Sequence, residues 1–309
     1  MISVIIPTYK RNENLARAIE SVLSQIGDFE LIVVDDNDPN TEYRNKNEQA
    51  VKKYLNNANF TYLKHDKNKN GAAARNTGIK HAKGEYITFL DDDDEFVENR
   101  IEKLEEVIKK EHPDFIYTGV IIIKNSVIEK KVIPNINKQS KELQLNLLNQ
   151  KSFFGTGSNI VCKKTIVDKI NGFDENFARN QDIEFVIRAL EYSNKIKCID
   201  EALVIKNVDG YMNVPPVNIM IETKEKFLEK FSYIINKLSN KERKEVLNNN
   251  YSELLKIAYL KNNKTDIKKC RQYLKSINHY SLINDIKIKL KYKIKKLYIT
   301  KKIRSWIKI

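Results

Sequence analysis

The sequence predicts an α/β fold: a mostly parallel central sheet flanked by helices, followed by an α-helical C-terminal region. Three observations carry this. Over the first hundred residues, short continuous apolar runs alternate with amphipathic stretches, as parallel strands covered on both faces by helices require. Apolar residues make up 41% of the 309, enough for a sizeable core. Beyond Pro215-Pro216 the apolar residues recur at helical spacing in a polar background.

In chain order, Ser3–Ile6 reads as a buried strand ending at Pro7, and Glu13–Gln25 as a helix with Leu15, Ile19, Val22, Leu23 and Ile26 on one face. Phe29–Val34 is a second buried strand, closed by Asp35-Asp36-Asn37. Residues 43–55 read as a helix, Phe60–Leu63 as a strand, Ala72–Ala82 as a helix and Tyr86–Leu90 as a fourth strand. An acidic run and a helix over 97–110 follow. From residue 114 the pattern changes. Phe115–Ile123 and Val127–Ile133 read as a hairpin around Lys124-Asn125-Ser126, Ser140–Leu148 as a helix and Ser158–Cys162 as a strand. Asp182–Tyr192 is then a helix and 196–208 a strand. One α/β domain is therefore expected over 1–215 and a basic helical region over 216–309. Over 286–294 strict alternation fits a strand, while Ile283, Ile286, Leu290, Ile294 and Leu297 fit one helical stripe. The helical neighbours favour a helix.

The net charge of +14 is unevenly spread. Residues 216–309 hold 24 basic and 8 acidic side chains, whereas the preceding 215 hold 31 and 33. From Ile286 to Ile309 there are ten basic residues and no acid, interleaved with apolar residues and the single Trp306. Such a segment is expected to meet an anionic surface. Acidic lipid is favoured over nucleic acid, because the first 215 residues carry neither a basic excess nor a nucleic-acid motif. No apolar stretch reaches the roughly 18 residues of a membrane span, and the strand-like Ile2–Ile6 is not a signal peptide. Cys162, Cys198 and Cys270 are widely spaced and odd in number, so reduced thiols are expected rather than zinc or disulfide chemistry.

Parallel sheets bind ligands beyond the carboxyl ends of their strands, which directs attention to Thr8-Tyr9, Asp35-Asp36 and Asp91-Asp92-Asp93-Asp94. Four consecutive carboxylates repel one another, and no Lys or Arg follows until Arg100. A divalent cation removes that cost; Mn²⁺ or Mg²⁺ takes hard oxygen ligands, often one or two carboxylates plus a diphosphate. The competing reading is a solvated turn whose Asp94 or Glu95 caps the next helix. A carboxylate of Asp35-Asp36 suits a base N–H or a ribose hydroxyl, against an Asx turn with Asn37, Asp38 and Pro39 for one of the two. Tyr9 suits a nucleobase, against ordinary packing. Asn70 to Asn76 opens a helix with small residues and Arg75, favouring phosphate, yet it is neither a P-loop nor GxGxxG. His65, His81, His112 and His279 lack ligand spacing and receive no role.

An ordered set of segments resembles the inverting family 2 glycosyltransferases, with their GT-A, Rossmann-like fold. It runs Val4-Ile5-Ile6-Pro7-Thr8-Tyr9, Ser24-Gln25, Glu30 to Asp36, Ala74-Arg75-Asn76-Thr77-Gly78-Ile79 and Gly84 to Asp94. Gly172-Phe173-Asp174-Glu175 and Gln181-Asp182 through Arg188 complete it, so the resemblance covers roughly residues 1–210. It implies that Thr8, Tyr9 and Asp36 meet the nucleoside, that Arg75 helps hold the donor, and that Asp91 and Asp92 are donor contacts. It implies Asp93 as metal ligand and Asp182 as catalytic base, with Arg188 following on the same helix toward the acceptor. Gly155 and Thr156, just ahead of a strand, are expected on the acceptor side, against an ordinary turn. Gln181 stands where many members have Glu.

The expected function is transfer of a sugar from a nucleotide-sugar, expected to be a UDP-sugar, to a saccharide or polyprenyl-linked acceptor in surface polysaccharide synthesis. The enzyme is expected at the inner face of the cell membrane, peripheral and cytoplasmic, with oligomerisation the other use of its basic region. A sugar nucleotidyltransferase is the enzymatic rival, but Pro7 to Asn12 lacks the glycines it needs. A non-catalytic basic adaptor is the other.

Overall fold

A computed structural model describes residues 1–11, 14–134, 139–177, 179–208 and 216–293. The basic tail beyond residue 293, with Trp306, lies outside them. The chain divides into two compact units: residues 1–147 with 152–210, and residues 148–151 with 211–309.

The first unit opens with β1 (Ile2–Thr8), α1 (Leu15–Leu23), β2 (Phe29–Asp35), α2 (Glu42–Val51), β3 (Phe60–Lys64), α3 (Gly71–His81) and β4 (Tyr86–Phe89). β5 (Glu95–Phe96), α4 (Arg100–Glu111), β6 (Phe115–Lys124) and β7 (Val127–Val132) follow, then α5 (Ser140–Leu148), β8 (Ile160–Lys163), α6 (Lys164–Lys169), α7 (Gln181–Glu191) and β9 (Ile196–Asn207). The sheet order is β3-β2-β1-β4-β8-β6-β9-β5, with β7 on the side of β6. β1 to β4 are parallel, β8 runs against both β4 and β6, and β9 is parallel to β6. The carboxyl end of β9 therefore lies at the same edge as those of β1, β2 and β4.

Nearly every side chain of β1 and β2 is buried, because helices cover both faces of the sheet. α1 buries Leu15, Ala18, Ile19 and Val22; of the predicted stripe, Leu23 is half-buried and Ile26, past the helix end, is exposed. α3 packs so closely on β1 that a Cβ on Gly78 would lie 2.4 Å from Ile5 Cγ2. The β6–β7 hairpin turns at Asn125 and Ser126, both at positive φ, which matches the twist of the strands they join. The expected helix over 97–110 begins later, at Arg100, because Glu95 and Phe96 pair with β9 first.

The second unit is helical: α8 (Val217–Lys230), α9 (Ser232–Ile235), α10 (Asn240–Lys261), α11 (Lys264–Ser276) and a further helix over 282–293. Ser239 and Glu242 form a reciprocal capping box at the start of α10. Met220, Leu254, Leu255, Ala258, Cys270, Leu274 and Ile288 make its core. The alternation over 286–294 thus resolves to helix as far as 293. All three cysteines are free thiols, and no helix among the described residues is long and apolar enough to cross a membrane.

Candidate active site

A cavity of about 440 Å³ opens at the carboxyl edge of the sheet, within the size range of ligand sites. Thr8, Tyr9, Asp36, Arg75, Asp91, Asp92 and Asp93 all line it, so the strand-end reasoning brings these seven together. Asp94, Arg11, Lys206 and Asn207 line it as well.

The two aspartates after β2 separate into different tasks. Asp35 is fully buried; its Oδ1 accepts the Asn37 amide at 2.9 Å, the Asx turn expected for one of the pair. Tyr62, Asn47 and Arg44 hold the same carboxylate. Asp36 Oδ1 is bonded to His65 Nδ1 at 2.7 Å and accepts the Lys69 amide at 2.8 Å. Its Oδ2 accepts Asn68 Nδ2 at 2.8 Å and the Asn70 amide at 2.9 Å. A carboxylate offers about four acceptor positions, so Asp36 spends all of them shaping the loop that leads into α3. His65, given no role by the sequence reading, fixes Asp36 and is itself bonded to Thr77 Oγ1 at 2.8 Å.

At the start of α3, Asn70 adopts φ +90° and its Oδ1 accepts the amides of Ala72 and Ala73 at 2.9 and 3.1 Å. The expectation that these amides face a phosphate is corrected: the cap has taken them. Arg75 remains for an anion. It donates to Asp91 Oδ1 at 2.6 Å, to Gln181 Oε1 at 3.2 Å and to the Gly71 carbonyl at 3.3 Å. Because Gln181 is neutral, Asp91 is the one carboxylate to which Arg75 donates a hydrogen bond there.

The acidic loop is less uniform than its sequence. Asp91 and Asp93 are partly exposed, with 35% and 27% of their side-chain surface open; Asp92 and Asp94 are buried. Burial pushes Asp92 up to about 6, against the pull of the Thr8 hydroxyl and the Arg11 guanidinium. Burial, and then the charge of Asp91, pushes Asp94 up to about 7. Ser158 and Thr156 donate to Asp94 Oδ2 at 2.6 and 3.1 Å. Asp94 does not cap the next helix, whose N-cap is Asn99. Arg11 pairs with Asp93 and reaches Asp92 Oδ1 at 3.7 Å, while Arg75 pairs with Asp91. The charge of the run is thus met in part by arginines from elsewhere in the chain, and its repulsion alone does not demand a cation. Arg100 turns into the core, donating to Thr118 Oγ1 at 3.1 Å, and burial lowers it to about 9.

Among the described residues no three His, Cys, Asp or Glu side chains converge as a self-sufficient metal cage. Two half-exposed carboxylates at a cavity rim instead fit a cation that takes its remaining ligands from a diphosphate and water.

Asp182 stands in the first turn of α7, its Oδ1 accepting the Ile183 amide at 2.9 Å. Burial raises its pKa above the ordinary 3.8 and Asp91 raises it further, while Arg75 and Lys206 lower it. Those three neighbours all line the cavity; Asp182 itself is not among its lining residues but lies close enough to feel their charges. Gly157 makes room: a Cβ there would sit 3.4 Å from Asp182 Cβ. Gly155, Thr156 and Arg188 are not brought to the cavity. Gly155 turns the chain at φ +74°, and Thr156 is buried against Asp94. Arg188 pairs with Glu184 and donates to the carbonyls of Ile170 and Gly172, so four of its five N–H donors are already used.

Lys206 and Asn207, at the end of β9, were absent from the sequence reading. Asn207 Nδ2 donates to the Asp93 carbonyl at 2.9 Å and to Glu95 Oε1 at 3.0 Å, tying the acidic loop to the sheet. Lys206 brings a cation into the cavity beside Asp94 and Asp182.

Residues 3–170 match the sequence profile of the family described as Glycosyl transferase family 2. The chain belongs to that family. A poly(ribitol-phosphate) beta-N-acetylglucosaminyltransferase, TarP, of Staphylococcus aureus is 32% identical over 63% of this chain and 60% of its own length. A glycosyltransferase of Methanocaldococcus jannaschii is 31% identical over 69% of this chain and 73% of its own. WfgD of Escherichia coli, a UDP-Glc:alpha-D-GlcNAc-diphosphoundecaprenol beta-1,3-glucosyltransferase, is 28% identical over 63% and 71%. The crystal structure of residues 1–349 of S. aureus TarS superposes with a TM-score of 0.56 over 97% of this chain and 91% of that one, at 18% identity, so the likeness is one of fold. The α/β architecture read from the sequence is thus the GT-A architecture of this family.

Proposed function

We propose that the chain is an inverting glycosyltransferase that moves a sugar from a uridine diphosphate donor to a hydroxyl of a saccharide or polyprenyl-linked saccharide, in surface polysaccharide synthesis. The observation that carries this reading is the cavity itself: an aromatic ring, three cations and two half-exposed carboxylates, with Asp182 close by. The relatives support it. TarP is named for transfer of N-acetylglucosamine, WfgD for a UDP-glucose donor and a diphosphoundecaprenol-linked acceptor, and TarS is known in complex with UDP and with UDP-GlcNAc.

Tyr9, 38% exposed, offers a face to the base. Arg75 and Lys206 face the diphosphate. Asp91 and Asp93 would hold Mn²⁺ or Mg²⁺, and the cation would supply positive charge to stabilise the leaving group. Asp182 takes the proton of the acceptor hydroxyl as its oxygen bonds to the anomeric carbon. The bond from that carbon to the diphosphate oxygen breaks, and its electron pair departs with the nucleoside diphosphate. A single displacement inverts the anomeric centre. Its raised pKa suits Asp182 to the task, since a carboxylate of ordinary acidity is a weaker base.

Thermal denaturation with UDP-, GDP- and dTDP-sugars, with and without Mn²⁺, tests the donor. A ligand of the folded state at 100 times its Kd adds about 2.7 kcal/mol of stability. UDP-sugars are expected to raise the melting temperature most; no rise with any of the three would refute the reading.

A further inference from the structure

The helix over 282–293 presents two unlike faces. Its inner face is pinned. Asp285 and Ile288 are 1% and 6% exposed, and Asp285 accepts from Tyr259 Oη at 2.6 Å, Arg271 Nε at 2.7 Å and Tyr280 Oη at 2.7 Å. At about 100° per residue, Leu282 falls at the edge, and Ile283, Ile286 and Leu290 fall toward the opposite side. They are 61%, 69%, 47% and 52% exposed, an unusual run of large apolar side chains in water. Lys287 and Lys291 border this stripe on one flank, Lys289 and Lys293 on the other, and all four are exposed. No carboxylate occurs from Ile286 to the end of the sequence.

An apolar stripe edged by lysines on both sides is what a helix lying in a bilayer interface presents. The apolar residues enter the acyl boundary, the lysine stems bend outward along it, and their ammonium groups meet anionic headgroups. A second copy of the chain fits less well, because a two-fold contact through this stripe would set lysine rows against lysine rows.

We propose that the face formed by Ile283, Ile286 and Leu290, with its flanking lysines, docks the protein on an anionic lipid surface. The proposal does not depend on the donor or the acceptor. Full-length protein is sedimented with vesicles of phosphatidylglycerol and phosphatidylcholine in equal parts, and with vesicles of phosphatidylcholine alone. The same is done for Ile283→Ser/Ile286→Ser/Leu290→Ser and for Lys287→Gln/Lys289→Gln/Lys291→Gln/Lys293→Gln. The unmodified chain is expected to bind the anionic vesicles at least tenfold more tightly than the neutral ones. Each variant is expected to lose roughly tenfold or more of that binding, with its melting temperature unchanged because every altered residue is exposed. Equal binding to both vesicles, binding unaffected by the serine variant, or a serine variant that alters only the oligomeric state overturns the proposal.

Discussion

Asp92 is a carboxylate that the folded chain would rather keep protonated, and replacing it with a neutral isostere tests that directly. Burial displaces its pKa from 3.8 to about 6, net of the help it receives from Thr8, Arg11 and the Tyr9 amide. At 1.36 kcal/mol per decade, ionising it in the folded state costs at most about 3 kcal/mol more than in the unfolded chain. The sign follows. An acid whose folded pKa is raised supports folding below its unfolded value and withdraws that support as pH climbs through the folded one. Asp92→Asn keeps the shape and carries no charge. Urea denaturation in EDTA should therefore find the variant more stable than the unmodified protein at pH 8, by up to about 3 kcal/mol, with the difference shrinking to nothing near pH 4. A variant less stable at pH 8, or a difference that ignores pH, would refute the assignment of Asp92 as a desolvated carboxylate.

Two other outcomes are expected. Gly78→Ala forces a methyl against Ile5 and should cost about 1–3 kcal/mol in denaturation; in an Ile5→Ala background most of that cost should disappear, and additive effects would argue against the contact. The acid limb of kcat/KM for sugar transfer should lie above the ordinary Asp value of 3.8, because Asp182 must be deprotonated and burial holds its pKa up. Lys206→Met removes a charge that lowers that pKa, so the limb should move to higher pH; a pH profile that stays in place would separate Lys206 from Asp182.

The parallel half of the sheet was legible because β1, β2 and β4 are buried on both faces and therefore read as continuous apolar runs. The two-residue β5 was not, since Glu95 and Phe96 become a strand only by pairing with Val204 and Ile205 across the chain. The same limit explains the missing lysine. Residues 196–208 read as a strand, but nothing local reveals that β9 runs parallel to β6, and that relation carries Lys206 to the ligand edge. Other signals were present. Glu184 and Arg188 stand at i, i+4 on one helix, the spacing of a self-contained ion pair. Arg11, two residues past Tyr9, follows the same strand end as the nucleoside candidates. Which aspartates of the run are buried depends on Ser158 and Thr156, more than sixty residues away.

The central claim is that Asp182, close to the cavity, activates an acceptor hydroxyl for a single inverting displacement. It is tested most directly by determining the anomeric configuration of the transfer product by NMR, alongside the turnover of Asp182→Asn. The account predicts a product of opposite anomeric configuration to the donor, a variant slowed by about a hundredfold or more, and UDP affinity unchanged. Retained configuration, or an Asp182→Asn enzyme that keeps its full rate, would contradict it.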